Sequence, residues 1–197
     1  MKLIFATNNK HKFREASEIL NNEMVEICGL SDIDFFEELP ENQETLEGNA
    51  LEKAFFVYNK TGINCFSDDT GLEIEALNGE PGVYSARYAG KGCNFVDNMN
   101  KVLKKLQNQE NRKARFITII ALILNGKKYL FEGEVRGEIL NELRGTGGFG
   151  YDPIFKPDGF ERTFAEMSLS EKNRISHRGK AFTEFLNFIK QNPYFFK

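Results

Sequence analysis

The chain has 197 residues, of which 41% are hydrophobic and 28% are charged, so its composition excludes a wholly disordered protein. Its net charge of −3 argues against a general nucleic-acid binder, because that class usually carries a basic surplus. Three widely spaced cysteines without a CxxC pair indicate reduced thiols. These features predict one globular domain that folds without disulfides or a structural metal.

Neither a secretory signal nor a membrane span is recognisable in the sequence. The longest apolar run, residues 116–124, has about half the length that a bilayer requires. We therefore expect a soluble, cytoplasmic protein that binds neither membranes nor nucleic acid.

The first half of the chain predicts alternating strands and helices. An apolar strand over residues 3–6 is followed by the cap-forming pair Asn8-Asn9 and by apolar residues at helical spacing. A second strand is expected over residues 24–28, and a helix over residues 45–59. Two short strands, at 64–67 and 72–76, are then expected on either side of Asp68-Asp69-Thr70-Gly71, with the two acids at the end of the first strand.

The second half predicts a long hairpin and further helices. Turn signals occur at Asn78-Gly79 and Pro81-Gly82, and a helix face runs through residues 95–106. Asn125-Gly126 lies between two β-rich runs and predicts a long antiparallel hairpin. A glycine-rich loop, a short helix capped by Ser168 or Ser170, and a final helix over residues 178–191 follow. The whole pattern predicts an α/β fold with a mixed sheet, arranged as two lobes with a cleft between them.

A phosphate site is the first candidate function. The segment 7–12 joins a strand to a helix, and a helix N-terminus offers unpaired N–H groups and a positive dipole end to anions. The alternative is an ordinary helix cap followed by a solvated basic turn. The residues concerned are Thr7, Asn8, Asn9, Lys10, His11 and Lys12.

A magnesium site is the second candidate. Adjacent acids such as Asp68 and Asp69 can hold Mg²⁺ and take a proton from a water molecule, although neighbours in a strand point to opposite faces. The alternative is a simple turn. The acid set 37–47 can supply a further carboxylate, and Lys53 on the following helix is either a phosphate contact or a surface lysine.

A base site is the third candidate. Glycines at 145, 147, 148 and 150 would let the backbone approach a ligand closely. Phe149 or Tyr151 can stack on a base, and Asp152 can accept hydrogen bonds from it. A flexible loop is the alternative. Neither a Walker A loop nor a dinucleotide-binding glycine fingerprint is present.

Five motifs occur in a characteristic order. They are Thr7-x-Asn9-x-x-Lys12, the segments 67–72, 81–88 and 145–155, and Ser176-His177-Arg178-Gly179. In this order they closely resemble the inosine triphosphate pyrophosphatase family, the XTP/dITP diphosphatases, over nearly the whole chain. The resemblance implies one ITPase-like domain of two lobes over residues 1–197, elongated, with a central nucleotide cleft, acting as a homodimer.

The resemblance also implies an activity and its residues. The enzyme would use Mg²⁺ to hydrolyse ITP, dITP and XTP to the monophosphate and pyrophosphate, removing deaminated purines from the nucleotide pool. Asp69 would be the catalytic proton acceptor and, with Glu41, a metal ligand. Residues 7–12 would hold the triphosphate. The remaining substrate-binding residues would be Lys53, Thr70, Phe149, Gly150, Tyr151, Asp152, Lys172, His177 and Arg178.

Two departures from the family pattern stand out. Gly48 occupies a position where many bacterial members carry Glu, which bears on the local metal shell. Thr70 stands where many members have Ser, and it keeps the hydroxyl group. Two alternatives remain open: a Maf-like pyrophosphatase for modified pyrimidine nucleotides, and a non-catalytic nucleotide-binding protein that would not need Asp69.

Overall fold

The computed structural model describes residues 2–20, 25–90, 92 and 94–195. It contains five α-helices and seven strands in these ranges. The helices are α1 Lys10–Ile19, α2 Leu46–Thr61, α3 Phe95–Lys105, α4 Leu169–Ile175 and α5 His177–Gln191. The strands are β1 Lys2–Phe5, β2 Glu26–Cys28, β3 Cys65–Ile74, β4 Pro81–Gly82, β5 Lys113–Leu124, β6 Lys127–Ile139 and β7 Phe155–Pro157.

The chain divides into two compact units. The first contains residues 1–69, 118–133 and 178–197, and the second contains residues 70–117 and 134–177. In the first unit the strand order is β2-β1-β3-β5-β6, with β1 parallel to both β2 and β3. In the second unit the order is β4-β3-β5-β6-β7, with β4 antiparallel to β3 and β7 antiparallel to β6.

The first unit has two apolar clusters on opposite sides of its strands. Leu3, Phe5 and Phe66 pack with apolar residues of α1 and α5, whereas Ile4 and Cys65 pack with those of α2. This division follows from the period of two in a strand, which sends successive side chains to opposite faces. The second unit has a single cluster, built from α3, from parts of the long strands and from residues 151–167.

Most predicted elements are confirmed, and their ends follow local chemistry. Asn9, Thr45 and Ser168 accept hydrogen bonds from backbone N–H groups of the first turns of α1, α2 and α4, as expected of N-caps. Both Asn125 and Gly126 have positive φ, 51° and 78°, the backbone that a two-residue hairpin turn needs. The α/β fold with a mixed sheet and a long hairpin is therefore confirmed.

Three sequence expectations differ from the structure. The strands expected at 64–67 and 72–76 form one continuous strand, β3, so Asp68 and Asp69 lie within a strand and not at its end or in a turn. Pro81-Gly82, expected as a turn, is the short strand β4. The strand expected over residues 24–28 begins at Glu26 in the structure. Met24, which the expected strand includes, lies outside the described residues, as does Cys93.

Many aromatic side chains lie in the cores. Phe5 and Phe66 stack at 4.5 Å between ring centroids, and Phe66 contacts Phe182 and Phe185 of α5. Of the helices described, none is long and apolar enough to cross a membrane.

Candidate active site

The loop between β1 and α1 is held by its own side chains. The Thr7 hydroxyl accepts a hydrogen bond from the Asn9 backbone N–H at 3.1 Å. The Asn9 side chain accepts from His11 N and Lys12 N at 2.9 and 3.1 Å. Asn8, Lys10 and His11 are exposed. The cap interpretation is thus confirmed for Asn9, and phosphate binding by residues 7–12 stays a prediction.

The two acids of β3 face opposite sides of the strand. Asp68 shares its side with Phe66, toward α1 and α5, and its partners are Lys12 and Arg178. Asp69 shares its side with Cys65 and Ser67, toward α2. The expectation that only one of the two acids faces a given site is confirmed, because each acid has its own set of charged partners.

Asp68 lies in a buried charge network. Its carboxylate is fully buried and lies 3.1 Å from the Lys12 ammonium group and 3.2 Å from the Arg178 guanidinium group. Arg178, which is 1% exposed, also donates to Glu15. Burial alone would raise the pKa of Asp68, but the charges of Lys12, Arg178 and Lys53 lower it to about 2. The guanidinium contacts of Arg178 are therefore those of a structural ion pair, and its binding of a base stays a prediction.

Asp69 lies in a second charged cluster. One carboxylate oxygen, Oδ1, is 3.4 Å from the Lys53 ammonium group, and the other, Oδ2, accepts a hydrogen bond from Asn49 at 3.2 Å. Lys53 is also 2.7 Å from Glu41 Oε1. Lys53 and Asn49 are four residues apart on α2, so both point to the same face of the helix. The structure thus brings together Glu41, Lys53 and Asp69, which the sequence analysis named separately.

The surroundings of Asp69 raise the pKa of its carboxyl group. Burial is the largest cause, the charge of Lys53 opposes it, and the negative charges of Glu41 and Asp68 add to it. The pKa of Lys53 is raised too, because Asp69 and Glu41 outweigh the effect of its own burial. A carboxylate with a raised pKa is a better proton acceptor than an exposed one.

The donor set at Glu41 and Asp69 fits Mg²⁺. Both carboxylates approach the same ammonium group, and they are hard oxygen donors. Mg²⁺ is usually held by one or two carboxylates together with waters and substrate phosphates. Within the described residues, no three His, Cys, Asp or Glu gather as a metal cage, so a bound ion here would take further oxygens from substrate or water.

Gly48 has a packing role in this cluster. A Cβ at position 48 would lie 2.7 Å from Cβ of Gln43. The segment 41–43 can therefore lie against α2 because residue 48 has no side chain. Gly48 therefore has a local packing role, and its effect on the metal shell stays a prediction.

The second unit contains the glycine-rich loop and its partners. Asp152 Oδ2 accepts hydrogen bonds from Phe149 N at 2.8 Å and from Lys172 Nζ at 2.6 Å. Lys172 is 3% exposed, and its ammonium group lies over the ring of Phe149, 4.9 Å from the centroid. Gly147 N donates to Ala165 O. These contacts connect the loop to its neighbours, and its binding of a base stays a prediction.

The remaining predicted residues of the second unit differ in accessibility. Tyr151 is buried, and its hydroxyl donates to Ser85 O at 2.9 Å, so Phe149, which is half-buried, is the better placed stacking ring. His177 is 3% exposed and stacks on Phe116 at 4.5 Å. Thr70 and Gly150 are half-buried. The assignment of these residues to substrate stays a prediction.

Gly148 makes the contacts of Asp152 possible. It has a φ of +67°, and a Cβ there would lie 2.0 Å from Asp152 Oδ2. We expect Gly148→Ala to displace the Asp152 carboxylate and to raise KM for the substrate by about tenfold, which corresponds to about 1.4 kcal/mol of lost binding free energy. Steady-state kinetics checks this result.

Gly159→Ala is the matched control for that variant. Gly159 has a φ of +81° with open space around its Cβ position, so it has the same backbone strain of about 1 kcal/mol without the clash. Gly148→Ala should lose more stability than Gly159→Ala, because its clash also displaces the buried partner of Lys172, and only Gly148→Ala should alter KM. An equal effect of the two variants on KM would exclude the proposed clash.

Two buried residues of these charged clusters were missed by the sequence analysis. Glu15, which pairs with Arg178, is 3% exposed, and Asn49 is fully buried. Each leaves a weak signal, because Glu15 lies beside Ala16 on the apolar face of α1 and Asn49 precedes Lys53 by four residues. Neither spacing shows which distant residue is the partner.

Comparisons with known proteins find relatives over nearly the whole chain. The model of the Ham1 family matches residues 3–188. The dITP/XTP pyrophosphatase of Flavobacterium johnsoniae is 55% identical, over 96% of this chain and 98% of that protein. That of Porphyromonas gingivalis is 52% identical, over 95% and 97%.

Solved structures agree as well. The Ham1 protein of Staphylococcus aureus is 35% identical, with a TM-score of 0.88 over 98% of this chain and 100% of that one. A nucleoside-triphosphatase, dITP/XTP pyrophosphatase, from Mycobacterium abscessus is 40% identical, with a TM-score of 0.76 over 94% and 99%. The family resemblance inferred from the ordered motifs is thereby confirmed, and the chain belongs to the Ham1 family.

Proposed function

We propose that this chain is a Mg²⁺-dependent nucleoside triphosphate pyrophosphatase that hydrolyses dITP, XTP and ITP to the monophosphate and pyrophosphate. The observation that carries the proposal is the full-length similarity to proteins named dITP/XTP pyrophosphatases, at 55% and 52% identity. The cluster of Asp69, Lys53 and Glu41 supports the proposal. In this cluster the Asp69 carboxylate can accept a proton, and the Lys53 ammonium group can bind phosphate.

The chemistry at the phosphates would use the first unit. A water molecule attacks the α-phosphorus, its proton passes to Asp69, and the bond from the α-phosphorus to the bridging oxygen breaks, releasing pyrophosphate. Lys12, Lys53 and the N–H groups at the start of α1 would bind the phosphate oxygens. Mg²⁺ held by Glu41 and Asp69 would neutralise phosphate charge when bound.

Recognition of the base would use residues of the second unit. Phe149 would stack on the purine, and Asp152, Lys172 and His177 would surround its edge. Hypoxanthine and xanthine carry a carbonyl acceptor at atom 6, where adenine carries an amino donor. In a site built from hydrogen-bond donors, those donors would stay unpaired when adenine binds. Such a mismatch can discriminate between two substrates by about 10⁴-fold.

The assembly and location of the enzyme are parts of the same proposal. We infer a single ITPase-like domain over residues 1–197, acting as a homodimer in the cytoplasm and cleansing the nucleotide pool. Sedimentation equilibrium across a hundredfold range of protein concentration tests the dimer. A mass equal to the 22.6 kDa chain throughout would contradict it.

A turnover panel tests the activity. ITP, dITP, XTP, GTP and ATP would each be incubated with Mg²⁺, and pyrophosphate and orthophosphate would be measured separately. Pyrophosphate from ITP, dITP and XTP, with little from ATP or GTP, is the expected result. The same reactions with excess chelator should show no turnover.

Each other outcome points to a different function. Orthophosphate alone would mean attack at the terminal phosphate. Turnover of modified pyrimidine nucleotides in a parallel panel would favour a Maf-like enzyme. Tight binding without any turnover would favour a non-catalytic nucleotide-binding protein.

A further inference from the structure

A closed ring of contacts joins the segment 41–43 to Asp69. Lys53 connects Glu41 to Asp69 Oδ1 at 2.7 and 3.4 Å. Asn49 connects the other half, because its Oδ1 accepts from Gln43 N at 2.9 Å and its Nδ2 donates to Asp69 Oδ2 at 3.2 Å. Each oxygen of the Asp69 carboxylate therefore has its own partner from α2.

The chemistry of the ring fixes the orientation of the Asn49 amide. A backbone N–H can only donate, so the group facing Gln43 N must be the amide oxygen. The NH₂ group is then left to face Asp69. The bond to Asp69 is buried and the bond to Gln43 N is partly buried, and the two bonds support each other in holding one rotamer.

From this ring we infer that Asn49 is a positioning residue for the reaction, one that sets the orientation of the Asp69 carboxylate. The inference rests on the proposed function, since it assigns Asn49 to the base of that same site. Asn49 does not touch the reacting atoms. Its effect passes through its hydrogen bond to Asp69, and its bond to Gln43 N holds the Asn49 side chain in place.

Three variants separate the two halves of this role. Asn49→Leu has a similar volume and loses both bonds. Asn49→Asp keeps an acceptor for Gln43 N but replaces the donor to Asp69 with a carboxylate oxygen. Glu52→Ala is the matched control: Glu52 accepts from Asn42 N at 2.9 Å and from the side chain of Gln43, so its loss loosens the same segment without touching Asp69.

The expected kinetics differ among the three. With XTP and Mg²⁺, Asn49→Leu and Asn49→Asp should each lower kcat by about 10- to 100-fold, the cost of a displacement near 1 Å, with KM for XTP changed less than about threefold. Glu52→Ala should keep kcat within about twofold. Retention of kcat in either Asn49 variant, or an equal loss in Glu52→Ala, would overturn the inference.

Hydrogen exchange and crystallography provide readouts that do not depend on turnover. Hydrogen exchange at the backbone N–H of Gln43 should be faster in Asn49→Leu and in Glu52→Ala than in wild type. It should remain slow in Asn49→Asp. Crystal structures of the two Asn49 variants should show the Asp69 carboxylate rotated from its place. An unmoved carboxylate would overturn the inference even if the wild-type protein turned over none of the nucleotides. Turnover by wild type with full activity in Asn49→Leu would overturn this inference alone and leave the proposed function intact.

Discussion

Asp69→Asn is expected to lower kcat for XTP by about a thousandfold or more while the protein stays folded. An amide cannot take a proton from water at neutral pH, and general base catalysis alone contributes about 10²- to 10⁴-fold. The change also removes one of the two carboxylates proposed for Mg²⁺. The amide oxygen can still accept a hydrogen bond from Asn49, whereas the amide NH₂ then faces the Lys53 ammonium group, which keeps Glu41 as its counter-ion.

The same variant should not lose thermal stability. The pKa of Asp69 is raised in the folded protein, chiefly by burial, so folding disfavours the ionised form relative to the unfolded chain. At pH 7 the ionised Asp69 therefore lowers the free energy of unfolding of the wild-type protein. A neutral asparagine removes this effect. We expect an equal or higher Tm, measured by calorimetry without nucleotide or Mg²⁺.

The pH dependence provides a further check on Asp69. The activity should fall on the acid side as the carboxylate is protonated, with a midpoint above the value of about 3.9 for an exposed aspartate. A pH profile of kcat/KM for XTP measures this midpoint. Near-normal turnover by Asp69→Asn would remove Asp69 from the mechanism, and loss of its fold would contradict the expected stability.

The sequence predicts well those features that arise from local interactions. The caps at Asn9, Thr45 and Ser168 depend on backbone groups within three residues, and the hairpin turn depends on Asn125-Gly126 alone. The apolar face of α5 follows directly from the spacing of Phe182, Phe185 and Ile189, all of which are buried. These elements needed no knowledge of distant residues.

Features that depend on distant partners could not be predicted in the same way. Asp68-Asp69 indicates a turn when considered alone, since buried acids are costly unless paired. In the structure Asp68 is compensated by Lys12, 56 residues earlier, and by Arg178, 110 residues later. Because these partners neutralise the charge, β3 continues through both acids. The family resemblance supplied the role of Asp69, but not the ring through Asn49.

Asp68→Asn, next to Asp69 in the chain, is expected to have the opposite effect on stability. Removing one partner of a buried ion pair leaves an uncompensated charge and typically costs about 3–5 kcal/mol. Arg178 would keep only Glu15 in this network, and Lys12, whose pKa is already lowered by burial, would lose its nearest counter-ion. We expect a loss of about 3 kcal/mol or more in the free energy of unfolding at pH 7, measured by urea denaturation.

The pH dependence of that loss identifies its cause. The pKa of Asp68 is lowered to about 2 in the folded protein, from 3.8. The stabilisation is therefore fully present when the pH is above the pKa of Asp68 in the unfolded chain. It is lost as the pH falls toward the pKa of Asp68 in the folded protein. The difference in free energy of unfolding between wild type and Asp68→Asn should be constant above about pH 5 and should shrink toward pH 2.

Glu73→Gln is the control within the same strand. Glu73 pairs with Arg115 where both side chains are partly exposed, 31% and 41%, and an exposed pair contributes about 1 kcal/mol or less. If Asp68→Asn cost no more than Glu73→Gln, the buried network would not stabilise the fold. If Asp68→Asn lost several kcal/mol while Asp69→Asn lost none, the two adjacent acids would have separate roles, one in holding the first unit together and the other in the chemistry.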